Sequence, residues 1–337
     1  MKAFQRQTMS ESWPFPIRFG DDMSIPLPMN GDIIDALFLR IIWPSSSAVN
    51  TSVATAMINF VELQYESVVI ERIYGENIFM QNDLTVPQGK RPGLQKLVGT
   101  DLTTPLPIYY LKLPFSINLP LCALSSQPVL RVVFNDAIKF MTVPYTGFLN
   151  LSYEIDYAYL SPSELSYFQH NTLSYVTNSY QVLQFTIKPG ETYFKCVTSF
   201  VNDVKEFFYV IQNIPATDMY HYNLDIKQYR LCLNGVEVLS PNVANGLYLS
   251  VIQPLQNHTK NPESNLYVYS FSMNPEGGQP MGEANLTYLF NQQHEFWVNS
   301  SVVPRYIRIY ALSYNIATVQ SGHLTMLHSL YESGFKN

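Results

Sequence analysis

Apolar and polar residues alternate along much of this chain, most sharply over residues 265–287, NLYVYSFSMNPEGGQPMGEANLT. Tyr267, Tyr269, Phe271 and Met273 fall on one face of an extended segment, and Val268, Ser270 and Ser272 on the other, the period of two that a pleated backbone imposes. One face is expected to pack and the other to stay wet. The following Asn274-Pro275-Glu276-Gly277-Gly278-Gln279-Pro280 removes backbone donors at two prolines and permits positive φ at two glycines, so the strand must give way to a turn.

The same pattern recurs through the chain, with few helix signals. Residues 31–44 (GDIIDALFLRIIWP) and 54–73 (ATAMINFVELQYESVVIERI) are apolar strand candidates separated by a Ser-rich segment, and a hairpin-like pair is expected of them. Over residues 147–160, Leu149, Leu151, Tyr153, Ile155, Tyr157 and Tyr159 share one face, while Asn150, Ser152, Glu154 and Asp156 share the other. Ser161-Pro162-Ser163-Glu164 then supplies an N-cap serine, a proline at the first helical position and a glutamate placed to close a capping box, which predicts a short helix near residues 164–171. Asn234-Gly235 between alternating apolar pairs predicts a tight hairpin, because a type I′ turn needs positive φ twice. A last strand is expected over residues 306–319, broken by Gly322. The polar run 171–181 and the fresh strand 182–187 mark a seam near residues 180–184. So many strands, spaced by Pro/Gly turns through both halves, predict an all-β chain with two sandwiches and few short helices. No repeat of 20–50 residues indicates a solenoid or propeller.

Composition narrows the class. Charged residues make up only 14% of the 337, aromatics another 14%, and there are 22 prolines. Ordinary domains carry about 25% charge, so this chain buries or pairs much of its surface, as broad sheets and large subunit interfaces do. A net charge of −6 gives no general attraction to a phosphate backbone, so tight nucleic-acid binding is not expected. Cys122, Cys196 and Cys232 lie far apart and read as reduced core thiols. The N-terminal residues lack the apolar core of a signal peptide, no stretch approaches a membrane span, and synthesis in the cytosol is expected. The Asn-x-Ser/Thr matches at Asn50, Asn150, Asn257, Asn285 and Asn299 then read as chance.

Candidate chemistry is sparse. His170, His221, His258, His294, His323 and His328 include no close ligand pair, so no metal site is expected. Glu62, Glu66 and Glu71 with Arg72 read as exposed strand charges rather than an acid/base pair. Gly277-Gly278 lacks the frame of a nucleotide loop, and Tyr267, Tyr269 and Phe271 read as core packing rather than a stacking platform. No catalytic, cofactor or metal residue is assigned, and the chain is not expected to be an enzyme.

The segment 265–287 closely resembles the near-C-terminal signature of the major capsid proteins of nucleocytoplasmic large DNA viruses, the double jelly-roll family: Y-x-Y-S-F-x-x-x-P-E-x-x-Q-P-S-G-x-x-N. Five further segments match in order. These are Gly31-Asp32-Ile33-Ile34-Asp35 with Leu37, Leu39 and Trp43-Pro44; residues 59–75; residues 107–124 (PIYYLKLPFSINLPLCAL); Asp156-Tyr157-Ala158-Tyr159-Leu160 with Glu164 and Phe168; and residues 204–212 (VKEFFYVIQ). Met281 stands where the family has serine, and Leu286-Thr287 where Phe-Ser is common. Typical members are also longer, with tower loops on the outer surface.

The resemblance implies two tandem eight-stranded jelly rolls, with an N-terminal arm over residues 1–22, a first jelly roll over 23–181 and a second over 182–337. It further implies a structural protein of the virion, made and assembled in host cytoplasm. Three copies would form a pseudo-hexagonal capsomer, and capsomers would tile an icosahedral shell with neighbouring capsomers and minor capsid or penton proteins as partners. The arm, with Trp13, Pro14, Phe15 and Pro16 and little strand pattern, would lie beneath the capsomer toward an internal viral membrane or minor proteins. The alternatives are a transient scaffold or minor capsid protein of the same fold, or a carbohydrate-binding attachment module in which Trp13, Trp43 and Trp297 line one groove.

Overall fold

The computed structural model describes residues 5–43, 52–99, 108–141, 144–216 and 218–329. Their contacts divide them into two compact units, one drawn from Met1–Phe79, Gly89–Asn178 and Ile316–Leu330, the other from Met80–Gln88 and Ser179–Asn315. The first unit contains β1 (Arg6–Ser12), β2 (Asp22–Pro26), β3 (Ile33–Ile42), β4 (Ile58–Tyr65), β5 (Val68–Tyr74), β6 (Ile108–Leu113), β7 (Pro128–Phe134) and β8 (Asn150–Ala158). They form two antiparallel sheets of order β1-β8-β3-β6 and β2-β7-β4-β5. Successive strands β1 to β4 alternate between the sheets, which is the jelly-roll arrangement.

The second unit repeats this order. Its strands are β9 (Leu173–Ile187), β10 (Tyr193–Thr198), β11 (Asp203–Asn213), β12 (Ile226–Leu233), β13 (Val236–Leu239), β14 (Tyr267–Ser270), the short β15 (Ala284–Asn285), β16 (Gln292–Val298) and β17 (Arg305–Gln320). One sheet runs β10-β16-β12-β13; in the other β11 lies between β14 and β17, and β9 pairs with β17. Leaving β15 aside, the eight strands take the same places as β1 to β8. The core joins Phe207, Tyr209 and Ile211 of β11 with Tyr229 and Leu231 of β12, Phe296 of β16 and Ile309 of β17, so both sheets contribute to one apolar layer. β18 (His323–Met326) pairs back on the end of β17 through Ser321 and Gly322, both at positive φ.

Two local signals appear as read. Helical residues Pro162–His170 follow Ser161, whose hydroxyl accepts from the Glu164 N–H while the Glu164 carboxylate accepts from the Ser161 N–H. Asn234 and Gly235 sit at φ 48° and 81° between β12 and β13.

Other expectations are corrected. Residues 31–44 and 54–73 do not pair with each other: β3 lies between β8 and β6, while residues 58–74 fold on themselves as β4 and β5 in the other sheet. Apolar alternation specifies faces but not partners, and Glu66, at φ 53°, makes the turn inside the second segment. The strand expected over 182–187 begins earlier than read, since residues 173–181 of the polar run also belong to β9. Its buried Gln181 bonds both the N–H and the carbonyl of Val201, which satisfies the amide without water.

The alternating strand at 267–273 ends at Ser270. Tyr267 and Val268 are both fully buried, so neither face is wet, and Met273 is 73% exposed. The N-terminal residues 6–12 form β1, in register with β8 from Arg6↔Ala158 to Ser12↔Ser152, and Trp13 and Ile17 are buried. Helices at Gly75–Thr85 and Arg91–Val98 were not foreshadowed; the first buries Ile78, Met80 and Leu84 together with Asn77 and Asp83, which leaves no clean apolar stripe to read. Residues 1–4, the Ser-rich stretch 44–51 with Pro44 and Asn50, and Pro107 lie outside the described residues.

Candidate functional site

The six sequence motifs meet in pairs, through close packing and buried hydrogen bonds. Gly31 lies against Tyr157: a Cβ on the glycine would come within 2.6 Å of the Tyr157 Cβ. The Tyr157 hydroxyl donates to the Pro28 carbonyl (2.6 Å), and Asp32 accepts from the Leu160 N–H (2.8 Å). The first and fourth motifs are thereby locked together. Glu71, from the second, is fully buried and accepts from both the N–H and the hydroxyl of Ser116 in the third (2.8 and 2.7 Å).

The fifth and sixth motifs join through a buried ionic staple. Lys205 and Glu206 are adjacent on β11, beside Ser270 of β14. The Lys205 ammonium donates to the Pro275 carbonyl (2.9 Å) and lies 4.9 Å from the centre of the Tyr314 ring. His258 stands between two carboxylates, with Nε2 2.7 Å from Glu206 and Nδ1 3.0 Å from Glu276 of the signature turn. Its side chain is only 3% exposed. Burial opposes the imidazolium, but Glu206 and Glu276 outweigh it and hold the pKa up at about 9. Burial also works against the Glu276 carboxylate, yet hydrogen bonds from His258 and Thr259 keep its pKa below the ordinary value. This arrangement holds the signature turn in place.

Charged residues that the sequence read as exposed form ladders across the strands. In the first unit Glu62 is fully buried, paired with Arg72 on one side and Arg131 on the other (3.0 Å), and Arg131 continues to Asp22 (2.6 Å). Both guanidiniums also lie over the Phe60 ring. Of the three candidate glutamates only Glu66 is exposed, so the expectation of exposed strand charges fails for Glu62 and Glu71. Alternating signs on neighbouring strands let carboxylates be buried that would otherwise need water. In the second unit Lys195, Glu295, Arg230 and Glu237 form the corresponding series across β10, β16, β12 and β13, at 3.3, 3.7 and 2.6 Å.

The remaining candidates are dispersed. His294 is buried in the second core, where burial alone drives its pKa down to about 3. Among the described residues no group of three or more His, Cys, Asp or Glu is placed to hold a metal. All three cysteines are free; Cys196 and Cys232 are buried but Cys122 is only half-buried, short of the core position expected of it. Trp13 packs edge-on to Tyr153, Trp43 sits with Phe19, Tyr109 and Phe140, and Trp297 pairs with Tyr193, three separate settings rather than one groove. Tyr267 lies in the core and Tyr269 and Phe271 pack against it, as read. No helix is long and apolar enough to cross a membrane among the described residues. Sequence reasoning missed the roles of His258 and Arg131, since no local pattern marks a residue whose partners lie far away in the chain.

Comparison with known proteins agrees with this geometry. Residues 2–169 match the family model of the major capsid protein N-terminus, and residues 164–325 that of the large eukaryotic DNA virus major capsid protein. The major capsid protein of Pyramimonas orientalis virus is 24% identical over 91% of this chain and 86% of that one. The structure of PBCV-1 VP54 fitted into the virophage Sputnik superposes with a TM-score of 0.83 at 17% identity, over 98% of both chains. The Faustovirus major capsid protein gives 0.73 at 9% identity, over 95% and 92%. Two jelly rolls of one strand order, pinned by motifs that meet in pairs and matched almost end to end by these models, place the chain in the major capsid protein family of large eukaryotic DNA viruses, where its role is to build the capsid and not to catalyse a reaction.

Proposed function

We propose that three copies of this chain close into a pseudo-hexagonal capsomer and that capsomers tile an icosahedral shell. The observation that carries this reading is the duplicated strand order: two like jelly rolls per chain make six per trimer, which gives a threefold unit a near-sixfold outline. Low charge supports it, because subunit faces are depleted of charged side chains. So do exposed apolar side chains such as Val302, Phe290 and Tyr288, 94%, 86% and 73% exposed in the single chain. Contacts between capsomers are individually weak, so misplaced units leave, and their number holds the finished shell.

The proposal extends to assembly in host cytoplasm, and to minor capsid or penton proteins and an internal membrane as further partners. Three free cysteines suit a reducing compartment. Light scattering on a sizing column tests the central claim. A mass about three times 38.6 kDa, with compact hexagonal outlines in negative stain, is expected; a monomer at high concentration would overturn it.

A further inference from the structure

Two buried histidines in the second unit are set in opposite ways. His258 lies between carboxylates, whereas His294 lies in a cage of aromatic rings and hydroxyls. Phe207, Tyr209, Tyr229 and Phe296 all have ring centres within 6.4 Å of the His294 ring. Both of its nitrogens are engaged, Nδ1 by the Tyr229 hydroxyl (2.8 Å) and Nε2 by the Thr198 hydroxyl (3.2 Å).

The hydrogen-bond directions can be worked out from the far end. Gln292 is fixed by backbone: its amide N–H groups donate to the carbonyls of Phe200 and Leu289, and its carbonyl accepts from the Phe200 N–H. The Thr198 proton is therefore committed to that carbonyl (3.0 Å), and Thr198 accepts from His294 at Nε2. Nδ1 must then be the unprotonated nitrogen, accepting from Tyr229, whose oxygen in turn accepts from Tyr209 (2.6 Å). All the hydroxyls point one way.

A proton added at Nδ1 reverses this chain. Nδ1 becomes a donor to Tyr229, so the Tyr229 proton loses its acceptor there; whether Tyr229 or Tyr209 then donates within the pair, one phenol proton is left without an acceptor in the core. No counter-charge helps. The titratable neighbours are Cys196 on β10, Tyr209 on β11, Tyr229 on β12 and Tyr269 on β14, all neutral at physiological pH, and Glu295 faces the other side of β16 in the ion ladder. We propose that His294 is an acid-sensitive latch in the second jelly roll: mild acid opens this core by protonating a histidine that the closed cage excludes as a cation.

The sign follows from linkage. An unfolded or opened histidine binds its proton near pH 6.5, and the closed form does not until far lower pH. Each pH unit below about 6.5 therefore favours the open form by roughly tenfold. His258, already charged, adds no such response in the same range.

Hydrogen exchange on the assembled wild-type protein between pH 6.5 and 5, corrected for intrinsic rates, tests this above the carboxylate range. Amides of β11, β12 and β16 are expected to lose protection about tenfold per pH unit more steeply than those of β4 and β7 in the same molecules. His294→Gln, which keeps a donor and an acceptor but cannot titrate, is expected to remove that extra slope. Equal pH dependence in both sets of strands of the wild type would overturn the proposal even if the variant failed to fold, and so would an unchanged slope in a folded variant. Neither result depends on the oligomeric state.

Discussion

A buried charge is tolerable only with its partners, and His258 shows how much rests on one side chain. It holds Glu206 on β11 and Glu276 in the signature turn, both through nitrogens shielded from solvent. His258→Gln leaves Glu206 buried without its counter-charge and is expected to cost about 3 kcal/mol, read from the midpoint of urea unfolding. An unchanged midpoint would show the staple to be idle. Glu62 makes the same point in the first unit, where two arginines on neighbouring strands hold a fully buried carboxylate. The glycines of the motifs act by size: at Gly75 a Cβ would meet the Ile58 carbonyl oxygen at 2.2 Å, so the helix that starts there can begin only with glycine.

At the level of elements, local chemistry is separable from tertiary pairing. The helix at Pro162–His170 depends on its capping box, and Ser161→Ala is expected to cost about 1 kcal/mol, measured by thermal or denaturant unfolding. β1 depends on its partner instead. Its sequence, RQTMSES, is polar at every position but Met9 and gives no apolar signal, yet all seven residues pair with β8. Deleting residues 1–12 exposes the edge of β8, and the expected result is concentration-dependent aggregation seen as rising light scattering. A deletion variant that stays clear and as stable as the parent would show that β1 does not protect this edge.

The molecule as a whole carries opposing pH responses. His294, kept neutral, makes the second unit less stable as pH falls below about 6.5; His258, kept charged up to about 9, makes it less stable as pH rises from about 6.5 toward 9. Each slope is on the order of 1 kcal/mol per pH unit, so stability is expected to peak near pH 6.5. Denaturant midpoints across pH check this. His294→Gln should flatten the acid limb and His258→Gln the alkaline one, and a flat profile for the wild type would refute both assignments. A shell subunit with such a peak is most secure near neutrality.

The sequence by itself determined what depends on neighbours along the chain. The faces of β8, the capping box at Ser161, the positive-φ turn at Asn234-Gly235 and the ordered set of six motifs were legible because period, turn chemistry and motif order are local or linear properties. Tertiary structure alone decided which strand lies beside which. Residues 31–44 and 54–73 read as a hairpin and proved to belong to different sheets, because alternation assigns a face without naming a partner. The same reason hid the chemistry of the charged residues. Glu62, Glu71, His258 and His294 look like ordinary polar positions in the chain, and only the folded sandwich brings each to the arginines, serine, glutamates or hydroxyls that permit its burial.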